Sequence, residues 1–110
     1  MTHYQLQVHP EAGIEFDGFV NTDRPMAHDV GNHFRVLEAI VKHGVADGLR
    51  PVYIADAAAL YMFYGNALQM FIAVRESTVL LVQLSAIGTE YGEAQALARA
   101  IQRMTEYFVG

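Results

Sequence analysis

Cysteine and tryptophan are absent from this 110-residue chain, proline occurs three times, and lysine once, at Lys42. Without cysteine there is no disulfide framework, no thiolate nucleophile and no cysteine-ligated zinc. Positive charge is also scarce. The net charge is -5, and between residues 51 and 98 Arg75 is the only cationic side chain. Phosphate backbones are held mainly by clustered lysine and arginine, so this balance argues against general nucleic-acid binding. Long apolar runs are missing too, since none reaches the ~18 residues of a spanning helix, and no membrane association is expected. The opening MTHYQLQVHPEAG lacks a cationic stretch followed by an apolar core, so no signal peptide is expected and a cytoplasmic location is.

What remains is apolar. The composition is 53% hydrophobic and 17% charged, which predicts a single folded domain over residues 1–110 that buries roughly two-thirds of its unfolded surface. Such a composition can leave apolar surface over, which would suit a homodimer or a protein partner, or it can simply fill a large sheet core.

Residues 59–87 form the central apolar block. It divides into runs at Ala59–Tyr64, Ala67–Val74 and Val79–Ala86, separated by Gly65-Asn66 and by Arg75-Glu76-Ser77-Thr78. Two closely spaced turn signals and the Tyr, Phe, Val and Ile content predict an antiparallel meander. Gly65-Asn66 suits a tight turn through positive φ. Ahead of the block, Tyr4 to Val8 alternates as a half-buried strand, and Pro10 ends it and opens a short helix over 11–20. A second helix runs from Met26 to His43, with Val30, Phe34, Leu37 and Val41 on its apolar face and Gly44 just past its end. Residues 49–54, interrupted by Pro51, predict an edge strand or extended connector. After a loop in which Thr89 could serve as a cap, a helix over 93–108 carries Ala94, Leu97, Ala98, Ile101, Met104 and Phe108 on one side, with Arg99 and Arg103 on the polar side.

These elements predict an α+β domain with helices packed on one antiparallel sheet. The order β-α-α-β-β-β-α, with the stretches Tyr4–Ala12, Val36–Glu38 to His43-Gly44, Leu60-Tyr61, Val79–Val82, Leu97–Ala100 and Arg103–Tyr107, resembles the RelE/HigB-like toxins of type II toxin–antitoxin systems. The resemblance implies a messenger-RNA endoribonuclease acting at the ribosome and held by an antitoxin. It also implies arginines on the middle strands, and there this chain departs from the family. Met62 or Phe63 stands where the first arginine is expected, Gln69 or Met70 where the second is, and Ala86 to Tyr91 replaces the basic loop without a cation. Phosphodiester cleavage needs groups that activate the 2′-hydroxyl and stabilise charge on the phosphate.

Two functions lead the expectations, ahead of a small-molecule carrier or sensor with an enclosed apolar pocket under the meander. One is a toxin-like protein without catalysis that binds an antitoxin-like or host protein. The other is an active ribosome-dependent endoribonuclease with a rearranged site, whose only nucleic acid would be ribosome-bound message. For the second, the resemblance offers Arg75 as a displaced phosphate-binding group, Tyr61 with Tyr64 and Tyr91 as hydroxyl donors, and Tyr107 as the C-terminal tyrosine. The plain alternatives are that Arg75 and Glu76 solubilise a hairpin tip and that Tyr107 packs. The five histidines show no metal-ligand spacing and no phosphate-cradling glycine loop is visible, so neither metal nor cofactor is expected.

Overall fold

The computed structural model describes residues 4–21, 24–88 and 92–109. Strand β1 (Gln5–Val8) leads into helices α1 (Pro10–Val20) and α2 (Arg24–His43). Strands β2 (Tyr53–Ala55), β3 (Ala58–Tyr64), β4 (Leu68–Arg75) and β5 (Thr78–Ala86) follow, and helix α3 (Glu93–Val109) closes the chain. Thr89 and Tyr91 lie outside the described residues.

Local chemistry explains most of the boundaries. His9 caps α1 by accepting from the Glu11 N–H at 3.1 Å, and Pro10 occupies the first turn, where its missing N–H costs nothing. Gly44 ends α2 at φ +79°, its N–H donating to the Ile40 carbonyl at 2.8 Å.

The five strands lie in the order β1-β5-β4-β3-β2. Strands β2 to β5 pair antiparallel with their chain neighbours, whereas β1 pairs parallel with β5, Leu6 opposite Val79. The sheet is therefore mixed, not the antiparallel meander sheet expected, and four strands rather than three separate α2 from α3. The extra strand is β2, in the stretch expected to be an edge strand or connector. It folds back onto β3 through a two-residue turn, Asp56-Ala57, both at positive φ.

Side-chain alternation divides the core. Leu60, Phe71, Ala73, Leu80 and Val82 face α3, while Met70, Ile72, Val79 and Leu81 face α1 and α2. The helices thus lie on both faces of the sheet. Two helices also sit rotated from their expected faces. On α2 the buried line is Val30, His33, Leu37 and Ile40, and Phe34 is 42% exposed, edge-on to Phe16. Polar contacts of Asp29 and His33 with the β3–β4 loop set that rotation. On α3 the buried residues are Ala96, Ala100, Arg103 and Met104, because small side chains let the helix approach β5 closely. Ala94 and Ala98 are exposed instead.

Candidate functional site

The polar groups that sequence alone passes over are the most organised. Asp29, near the start of α2, is 2% exposed. Its Oδ1 accepts from the Asn66 N–H at 3.0 Å, and its Oδ2 accepts from the N–H groups of Ala67 at 3.1 Å and Leu68 at 2.7 Å. One turn on, His33 Nε2 lies 2.8 Å from the Leu68 carbonyl. A carbonyl only accepts, so Nε2 carries the proton. Burial raises the Asp29 pKa, but the amide bonds from Asn66, Leu68 and Ala67, with His33 nearby, outweigh it and hold the carboxyl below its ordinary value.

This arrangement fixes the β3–β4 connection, and it does so without the expected turn geometry. Neither Gly65 nor Asn66 has positive φ. Gly65 is required for another reason: a Cβ there would fall on the Asp29 carboxylate. With Asp29 saturated by amides and His33 Nε2 by a carbonyl, the pair is a fastening between helix and hairpin.

A second cluster joins the two helical layers. Strand β1 ends at Val8, so the edge of β5 beyond Leu81 is left open, and β5 is irregular there, with Ile72 opposite Leu81 and Phe71 opposite Gln83. Helix α1 reaches this gap with Glu15, whose Oε1 accepts from the Leu84 N–H at 3.1 Å. Helix α3 reaches it with Arg103, which donates to Glu15 through Nη1 at 2.8 Å and Nη2 at 3.0 Å and to the Val82 carbonyl at 3.2 Å. Arg103 was expected on the solvated side of the helix and is 6% exposed. Its Nε lies 3.2 Å from Glu11 Oε2, close enough to pair in charge, though the angle gives no hydrogen bond.

The residues that the resemblance offered for catalysis do not converge. Arg75 ends β4 on the α3 side, donates to the Phe108 carbonyl at 3.2 Å and stacks over the Phe108 ring at 5.5 Å. It neutralises the C-terminal end of α3, so it is neither a solvated hairpin tip nor a free phosphate ligand. Tyr107 lies on the same side but its hydroxyl donates to Gln7 of β1 at 2.8 Å, and its ring packs near His9 and Phe108. Tyr61, opposite Ile72, packs with the α1/α2 cluster on the other face of the sheet. In the cleft beside Arg75, Asp56 is the other charged residue of the lining, and Tyr61 does not line it. Among the described residues no group of three or more His, Asp or Glu could hold a metal ion, and no helix is long and apolar enough to cross a membrane.

The open surface along α2 is partly apolar. Two clefts of about 450 and 370 Å³ lie side by side along α2 and share Val36 and Phe63. One extends to Gly44, Val45 and Leu49, the other to Asn32 and Asn66. Beyond Phe63 the same face of the sheet continues through Tyr61 and Ala59 to Ile54, which is 66% exposed. No family model matches the chain, and no curated protein matches it.

Proposed function

We propose that this is a toxin-like protein of a type II toxin–antitoxin or mobile-element module that no longer cleaves RNA and acts by binding another protein, antitoxin-like or a host factor. The family part rests on the sequence resemblance. The loss of catalysis rests on one observation above all: Tyr61 lies across the sheet from Arg75 and Tyr107, so the three groups cannot meet on one phosphate. An oxyanion needs donors converging within hydrogen-bond distance of a single point, and here the arginine is already spent on a helix end.

Protein binding is supported by the largely apolar cleft along α2, with Val36, Ile40, Phe63 and Leu49 in its walls. Its shape suits the apolar stripe of an amphipathic helix. Two measurements test the proposal. Added to a translating extract, the purified protein leaves the message intact, and cleavage of that message would establish the endoribonuclease in its place. Co-expressed with the product of the adjacent reading frame, it co-purifies as a stoichiometric complex that Leu49→Lys, in the cleft wall, weakens at least about tenfold. Binding unaffected by Leu49→Lys would remove the groove from the proposal.

A further inference from the structure

The two edges of the sheet are treated differently. At one edge β2 has three residues and is flanked by Arg50, Pro51 and Asp56, the charged and proline residues that ordinarily block pairing of exposed strands. At the other edge β1, Gln5-Leu6-Gln7-Val8, has no charged residue, no proline and no bulge. The Gln5 and His9 N–H groups donate inward to the carbonyls of Ser77 and Leu81. By the two-residue period of a strand, Leu6 and Val8 then present their N–H and C=O groups outward. Among the described residues no strand pairs with that side.

The side chains beside this edge are also uncovered. Leu6 is 40% exposed and Val8 42%, and both line an apolar cleft of about 270 Å³ with Phe16, Phe34 and Leu37. The accessible surface of the chain is 6644 Å². A monomeric protein of 12.2 kDa is expected to expose about 6,050 Å². The total is about a tenth larger, in keeping with the uncovered edge and clefts.

We propose that two copies of the chain associate about a two-fold axis at Gln7, β1 pairing antiparallel with β1 of the second copy to join the two sheets. This register is self-complementary. Leu6 faces Val8 of the other copy twice, each pair exchanging two backbone hydrogen bonds, and the apolar side chains meet over the cleft. On the opposite side Gln7 keeps its bond to Tyr107. A second copy fits better than an unrelated strand because the edge supplies its own complement in both sequence and polarity. A four-residue edge and a charge of -5 on each copy make for a weak association, of about micromolar order, that strengthens as salt screens the repulsion.

Sedimentation equilibrium of the full chain between about 1 and 100 µM, read with amide hydrogen exchange, tests this. The native chain should sediment as a dimer at the upper concentration. Leu6→Lys should weaken association at least about tenfold with an unchanged circular dichroism spectrum, and Ile54→Lys at the opposite edge should leave it intact. A native chain that stays monomeric throughout would overturn the proposal, leaving the edge to a foreign strand or to water. So would a Leu6→Lys variant that still dimerises, or loss of the dimer in Ile54→Lys. Should Leu6→Lys fail to fold, the native chain decides: the Leu6 and Val8 amides must gain protection as concentration rises, and constant exchange would refute the pairing.

Discussion

Asp29 and Arg103 are both buried charges, but they are satisfied in opposite ways. Asp29 receives three backbone N–H groups from one loop and has no direct ion-pair partner closer than His33 Nε2 at 3.7 Å. Arg103 is held by Glu15, 20% exposed in its side chain, by Glu11, 63% exposed, and by one carbonyl. Remove Asp29 and three amides lose their acceptor, with Leu68 deeply buried. Remove Arg103 and its carboxylates can turn to water while Glu15 keeps the Leu84 amide. Burial alone therefore does not rank the two. What ranks them is whether the partners left behind can find solvent.

The largest expected effect is at the hairpin. Asp29→Ala should cost about 3 kcal/mol and lower the thermal midpoint by about 12 °C. Gly65→Ala, which sets a methyl against the same carboxylate, should cost about 2 kcal/mol by overpacking. A denaturant titration showing either variant within 0.5 kcal/mol of the native chain, about the scatter of a neutral surface change, would break the ranking.

The next effect is in acid. The folded Asp29 pKa is depressed, so between its folded and unfolded values the unfolded chain binds more protons and stability rises with pH. The contribution is fully present above the ordinary aspartate value, near 3.8, and is lost as pH falls through the lower folded value. Asp29→Asn should flatten that part of the stability–pH curve. An unchanged slope below pH ~4 would assign the acid sensitivity to other carboxylates.

The smallest is at Arg103. Arg103→Met keeps the stem's contacts with the sheet and should cost only about 1 kcal/mol, against at least twice that for Asp29→Ala. A loss of about 3 kcal/mol or more on urea unfolding would make the interlayer cluster the stronger fastening and reverse the comparison.

Much of this fold is legible in the residues. The turn signals after Tyr64 and Val74 and the β-rich runs beside them mark β3, β4 and β5, while Pro10 and Gly44 mark helix boundaries. The inward faces are less legible. Periodicity points Phe34 of α2 inward, but the buried place belongs to His33, because a polar group with a waiting carbonyl can displace an aromatic ring. The Asp29–His33 spacing of four was a readable signal, yet attention to histidine–histidine spacing passes over it. Nothing local marks Arg103, whose burial depends on β1 stopping at Val8 and leaving a gap that α1 and α3 fill together.

By itself, then, the sequence determined the helices, the hairpin strands and the shortage of cations, since each depends on neighbours within a few residues. Only the tertiary structure decided that β1 runs parallel beside β5, that Tyr61 and Arg75 fall on opposite faces, and that Asp29 holds a loop nearly forty residues away. Those outcomes turn on which strand edge remains open and which amides remain unpaired once the chain is packed, and no local window of sequence contains either quantity.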